Sequence, residues 1–208
     1  MINDVMVFTP VYRLEPETIA AVFELQFDGA LTFVLQRDNP HKGDSRATGV
    51  KNHHYQFNRG RELFLSGNYD AMLIIESDII PPPDTLQRLA EIDCDLAYGC
   101  YEFRHGAKVV NILERYPQPA RNMGESLTVR HLWEYAKKRG VIECSGSGFG
   151  CLLIKRHVIE AIPFELTGAA FFDWEWTESA YRAGYTMKAD TAVLCGHKTP
   201  AGVTLWPS

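Results

Sequence analysis

Nowhere do apolar residues run for the ~18 to 20 positions that a bilayer-spanning helix needs. The opening MINDVMVFTP also lacks the basic segment and apolar run of a secretion signal. Basic residues are outnumbered, 21 against 26, and form no Lys/Arg run, which argues against non-specific attachment to nucleic acid or an anionic membrane. That balance is still compatible with a nucleic acid as a specifically bound substrate. The cysteines, Cys94, Cys100, Cys144, Cys151 and Cys195, are odd in number and contain no C-x-x-C pair. They read as small buried hydrophobes in a reducing compartment rather than as a disulfide framework or a zinc site. Three nucleotide and hydrolase signatures are missing as well. VMVFTPVYR has no glycine, so the G-x-G-x-x-G of a dinucleotide fold is absent after the first strand. No G-x-x-x-x-G-K-[ST] exists, and the residues around Ser145 and Ser147 do not form G-x-S-x-G. What these absences leave is a cytoplasmic, soluble chain of 208 residues, long enough for one sizeable core and cramped for two.

What is present is an alternation. VMVFTPVY reads as a buried strand broken at Pro10, EPETIAAVFELQF as a helix, and ALTFVLQRD as a strand ending on Asp38. Residues 39–49 read as a polar loop, NHHYQFNRGRELFLSG as a helix closed by Gly67, and AMLIIESD as a strand leading through three prolines into the helix DTLQRLAEI. The order β-α-β-α-β-α predicts a mainly parallel sheet with helices on its faces. Further along, DLAYGCYEF, GFGCLLIK and TAVLCGH read as strands. SLTVRHLWEYAKKRG, RHVIEAI and DWEWTESAYRAG read as helices, the last with Asp173 as N-cap. This second half is less regular, so the sheet is expected to gain antiparallel members there. No repeat or linker divides the chain, which reads as one domain with a nucleotide-binding half, about 1–103, and an acceptor-side half, about 104–208.

One stretch poses a problem. YDAMLIIESDIIPPPDTLQRLAE carries five apolar side chains into Glu76 and Asp78, groups that are expensive to desolvate without a partner. In a parallel sheet, ligands sit outside the carboxyl ends of the strands, and a period of two would aim both acids to one side. Two converging carboxylates suit a hard dication such as Mg²⁺ or Mn²⁺, which could in turn hold a diphosphate. Acid-x-acid spacing alone is weak, since the chain also has Glu15/Glu17, Glu91/Asp93, Asp93/Asp95 and Asp173/Glu175. Context separates Glu76/Asp78, the pair that closes an apolar strand. A cation or phosphate site and a solvated strand end both remain open at this point.

Taken together, the segments resemble the GT-A class of nucleotide-sugar glycosyltransferases, family-2-like members in particular. The resemblance rests on FTPVYR, NRGRELFLSGNYD, GNYDAMLIIESDIIPPPDTLQRL with its Asp-x-Asp-like triplet, GSGFGCLLIKRHVIEAI, FFDWEWTESAYRAGY and CGH, in the expected order along nearly the whole chain. It departs from the family twice: the triplet is Glu-Ser-Asp, and the usual Glu-Asp pair before the last helix is Phe172-Asp173. The resemblance implies a Rossmann-like GT-A fold and transfer of a sugar from a nucleoside-diphosphate donor, UDP-linked by preference and GDP-linked as an option, to a hydroxyl acceptor whose identity stays open. Rival readings are a non-catalytic nucleotide- or glycan-binding protein on the same fold, and a sugar-phosphate nucleotidyltransferase. The latter would call for a Gly-rich, Arg-containing N-terminal loop that is missing here.

The resemblance also assigns residues. Asp78 would ligate Mn²⁺ or Mg²⁺, with Glu76 as a second or water-mediated ligand and His197 as a third. Ser77 lies inside the triplet. Asp173, sharing its role with Glu175, would take the acceptor proton as general base, or would serve only as a helix cap. Thr9, Pro10 and Tyr12 would flank base and ribose, Asp38 would accept from the base edge, and Arg59 would approach the diphosphate. Each of these has an ordinary alternative as a turn or surface residue. Gly146, Ser147, Gly148 and Phe149 would form a loop free of bulk against sugar or acceptor. Trp174, with Trp176, would stack on a sugar face, or would belong to the core.

Overall fold

The computed structural model of the protein describes residues 1–43, 45–104, 109–115, 129–131, 140–165 and 172–207. Its first half alternates as the sequence predicts: β1 (Asp4–Pro10), α1 (Pro16–Phe23), β2 (Ala30–Gln36), α2 (Arg46–Ser66), β3 (Ala71–Ile75), β4 (Ile79–Ile80), α3 (Thr85–Ala90) and β5 (Leu96–Tyr101). Then come β6 (Leu113–Arg115), β7 (Val129–His131), β8 (Val141–Glu143), β9 (Cys151–Lys155), α4 (Arg156–Ala161), α5 (Phe172–Arg182), β10 (Met187–Lys198) and β11 (Thr204–Leu205). The central sheet runs β11-β10-β5-β9-β3-β1-β2, with β4 and β8 also pairing β10. Strands β2, β1, β3, β5 and β10 point one way, and β9 runs against its neighbours β3 and β5. The fold is thus mixed α/β with a mainly parallel sheet flanked by helices; the antiparallel members β8, β9 and β11 fall in the second half, and the two-residue β4 of the first half also pairs antiparallel with β10.

Burial on both faces explains why the central strands read as unbroken apolar runs rather than as alternating ones. In β1, Met6 and Phe8 pack with Phe57 and Phe64 of α2, while Val5 and Val7 pack with Val22 of α1 and Leu86 and Leu89 of α3. In β3 the same division puts Met72 and Ile74 on the first side and Ala71, Leu73 and Ile75 on the second. Val158 and Ile159 of α4 and Trp176 and Ala180 of α5 complete the first side. Among the described residues no helix is long and apolar enough to cross a membrane.

Four local expectations change. Helix α2 begins at Arg46 inside the expected loop, because the hydroxyl of Ser45 accepts a hydrogen bond from the Thr48 amide at 3.1 Å and caps it. Strand β3 stops at Ile75, so Glu76–Asp78 form a turn, closed by the Ile79 amide donating to the Glu76 carbonyl at 3.0 Å. In the segment expected as a helix over 126–140, Val129–His131 instead pair antiparallel with Leu113–Arg115. A strand partner there outweighs local helical spacing, and residues 126–128 and 132–139 of that segment lie outside the described residues. Finally, α5 starts at Phe172, which puts Asp173 in its first turn rather than at its cap.

Candidate active site at the carboxyl edge of the sheet

Because β1, β2, β3, β5 and β10 run the same way, Pro10, Gln36, Ile75, Tyr101 and Lys198 end on one edge. A cleft of about 550 Å³ opens there. Its walls are the segment after β1 (Pro10, Tyr12, Arg13, Glu15), the first turns of α2 (Arg46, Gly49, His53), the Glu76–Asp78 turn, Arg104, and Lys198 at the end of β10. Five of the expected residues therefore meet in it: Pro10, Tyr12, Glu76, Ser77 and Asp78.

The acidic turn is held from two sides. The Glu76 amide donates to the Gly150 carbonyl at 3.0 Å, and the Lys198 amide donates to the Asp78 carbonyl at 2.8 Å. Beyond it, β4 pairs with Gly196 and His197 of β10, which sets His197 beside Asp78. The turn, not strand pleating, thus presents the two carboxylates, and each finds a different partner. Glu76 Oε1 lies 3.1 Å from His53 Nε2. Burial would push the Glu76 carboxyl up, but the hydrogen bond and charge of His53 hold it below its ordinary value. Asp78 Oδ2 pairs with Arg104 Nη2 and stands 4.0 Å from His197 Nε2.

The partners of His197 fix its tautomer. Arg104 Nε–H donates to His197 Nε2 at 2.8 Å, so that nitrogen offers a lone pair. The proton is then on Nδ1, which donates to the Glu102 carbonyl at 2.6 Å. A histidine bound through one nitrogen to a backbone carbonyl and presenting the other as a lone pair is in the form that ligates metals. The other Asp78 oxygen, Oδ1, is buried and has no hydrogen-bond partner. Asp78 and His197 therefore fit a dication as two donors. Among the described residues no three His, Cys, Asp or Glu side chains gather as ligands. A hard cation held here would draw its remaining ligands from water and substrate phosphate, as Mg²⁺ commonly does.

The loop into β9 and the start of α5 lie behind the acids. Gly146 sits at φ +149°, and a Cβ there would meet Thr177 Cγ2 at 2.3 Å. A Cβ on Gly148 would meet the Tyr101 hydroxyl at 2.6 Å and Asp173 Oδ2 at 3.3 Å. Glycine at 148 thus lets Asp173 and Tyr101 close against the loop backbone. Asp173 is pushed above its ordinary value by burial and then by the like charge of Glu76. Burial, with Glu76 and Asp173 adding, drives Tyr101 well above 10 and keeps its phenol neutral. Ser147 is buried, its hydroxyl accepting from Asn111 Nδ2 and its carbonyl from Thr177 Oγ1 at 3.1 Å. Phe149 lies inside an aromatic cluster, 5.1 Å from Phe57 and 5.4 Å from Trp176. Trp176 is core as well, its indole N–H donating to the Ile162 carbonyl at 3.2 Å. Trp174 and Glu175 are half-buried in the same turn as Asp173.

His197, Asp173, Trp174, Glu175 and the 146–149 loop do not line the cleft itself, and the remaining expected residues stand apart from its wall as well. Thr9 is fully buried beneath it. Asp38 is exposed at the end of β2, where its carboxylate receives Gln36 Nε2 at 3.4 Å. Arg59 is exposed on α2 and pairs with Glu62 at 2.7 Å. His53, Arg104, Arg13, Arg46 and Lys198 line the cleft without having been expected there from the sequence. Arg104 and Lys198 did carry a signal, since each is a basic residue at or just past the carboxyl end of a strand. His53 carried none, because which face of α2 meets the acidic turn depends on packing.

No family model matches the chain, and no curated protein matches its sequence. Its fold does recur in solved structures. A197 from STIV superposes with a TM-score of 0.61 at 15% identity, over 99% of this chain and 94% of that one. The inositol-1-phosphate CTP transferase from T. maritima superposes with a TM-score of 0.50 at 12% identity, over 97% of this chain and 91% of that one. At such identities the likeness shows the shared fold.

Proposed function

We propose that this chain is a glycosyltransferase: it binds a nucleoside-diphosphate sugar, UDP-linked by preference, and passes the sugar to a hydroxyl acceptor. The observation that carries the reading is the meeting of the Glu76–Asp78 turn, Arg104 and His197 at the carboxyl edge of the sheet, with Asp173 close behind Glu76. In an open α/β sheet that edge is the ligand crevice. Tyr12, 72% exposed on the cleft wall, offers a ring face to the base. Asp173 serves as the base. As the acceptor oxygen bonds to the anomeric carbon and the bond to the diphosphate breaks, the hydroxyl proton passes to its carboxylate. Its raised pKa strengthens it as a proton acceptor. Asp78 and His197 are the residues to hold Mn²⁺ or Mg²⁺, which when bound neutralises charge on the departing diphosphate.

One observation favours a second reading. The fold is shared with an inositol-1-phosphate CTP transferase, and the same crevice could take a nucleoside triphosphate and a phosphorylated alcohol. The products separate the two. The protein is incubated with UDP- and GDP-sugars, or with CTP and sugar phosphates, each with Mn²⁺. Free nucleoside diphosphate from the first set supports glycosyl transfer, pyrophosphate from the second supports nucleotidyl transfer, and saturable binding without either product marks a binding protein.

A further inference from the structure

Arg104 stands where two functions compete. Its Nη2 pairs with Asp78 Oδ2 and its Nε–H occupies His197 Nε2, so one planar guanidinium bridges both candidate cation donors. An imidazole nitrogen has a single lone pair in the ring plane, and it cannot serve an N–H donor and a cation together. Bridging by Arg104 and ligation of a dication by His197 are therefore mutually exclusive. The arginine has somewhere to go. Its side chain is 37% exposed on the cleft wall, whereas Asp78 and His197 are 20% and 7% exposed. Its backbone is anchored by the residues just before it: Glu102 bridges Val110, and the Phe103 amide donates to the Val109 carbonyl at 2.9 Å.

We infer that Arg104 is a catch for the donor site. Without ligand it keeps Asp78 and His197 paired. A dication arriving with the diphosphate takes both donors, and the released guanidinium turns into the cleft to bind the phosphates. Guanidinium suits that second role, since its fork matches phosphate oxygens in a bidentate way. The inference rests on the nucleotide-sugar reading and adds to it a coupling: the cation alone binds weakly, and cation and diphosphate bind well together. Each ligand contributes to the displacement the other requires, so their affinities rise reciprocally.

The test is Mn²⁺ titration followed by electron paramagnetic resonance, with and without UDP, on the wild type, Arg104→Ala and Arg104→Lys. Without UDP both variants should bind Mn²⁺ about ten-fold more tightly, the scale of one charged hydrogen bond no longer to be broken. The lysine variant keeps the charge but has no fork to span Asp78 and His197. A gain there separates release of the catch from loss of repulsion. With UDP present the order should reverse for Arg104→Ala, whose Mn²⁺–UDP complex should be about ten-fold weaker than that of the wild type. Variants that match or fall below the wild type with Mn²⁺ alone overturn the catch. A lysine variant that behaves as the wild type does so too. An unchanged Mn²⁺–UDP affinity in Arg104→Ala overturns the hand-over to phosphate. If no form binds Mn²⁺ with or without UDP, the nucleotide-sugar reading falls and the catch with it.

Discussion

At the scale of single residues, the site is a set of charges kept apart by their partners. Burial and then the like charge of Glu76 oppose the ionisation of Asp173, while His53 holds Glu76 ionised. Asp173 therefore takes up its proton at higher pH than an ordinary aspartate, about 3.9, and transfer should fall on acidification before such a residue would titrate. Glu76→Gln removes the like charge, so the acidic limb of the pH–rate profile should move to lower pH. A limb that stays in place would separate the two residues. Asp173→Asn should leave UDP binding by calorimetry unchanged and slow transfer by about 10²-fold or more. Equal losses of binding and rate would make it a structural residue of α5. For stability the sign differs between the two acids. The lowered Glu76 contributes stability above its unfolded pKa and loses it as pH falls through its folded one. The raised Asp173 costs stability as pH rises from its unfolded to its folded value.

At the scale of elements, the loop and helix ends place these charges. The glycine loop leaves no room for a side chain where it passes Thr177: Gly146 combines a positive φ with a blocked Cβ position. Gly146→Ala should destabilise the protein by about 1–3 kcal/mol in urea unfolding. Gly49→Ala, in the first turns of α2 with open space around its Cβ, should be neutral or stabilising by about 0.5–1 kcal/mol. Equal effects of the two would mean that the loop conformation is not fixed by Gly146. The same scale shows what the sequence could and could not announce. The strands of the first half were legible because continuous apolar runs bounded by turn residues leave little choice. Glu76–Asp78 reads as strand in the sequence because the restraints that make it a turn come from Gly150, Lys198 and His197, residues far along the chain. The partners of the acids were hidden for the same reason, since nothing local in NHHYQF says that His53 faces Glu76.

At the scale of the whole molecule, the mainly parallel sheet brings five strand ends to one edge, and it is this that gathers chemistry from residues 10 to 198. The topology was legible as a rhythm of strands and helices, and its antiparallel turn in the second half was legible as a loss of rhythm. Asp78 and His197, 119 positions apart in sequence, meet because β4 and β10 pair. Tyr12, Glu76 and Ser77 reach the same cleft, while Asp38 and Arg59 lie outside its wall. A place after a strand, as for Asp38, or on a helix, as for Arg59, fixes a neighbourhood but not a direction.

In the proposed reading Asp78 holds a dication against a nucleoside diphosphate in this cleft. Calorimetric titration of UDP in Mn²⁺ and in EDTA, on the wild type and Asp78→Ala, measures it most directly. Binding should be saturable and stronger in Mn²⁺, with the Mn²⁺ dependence gone in Asp78→Ala. An Asp78→Ala protein that binds UDP in Mn²⁺ as tightly as the wild type would contradict that reading.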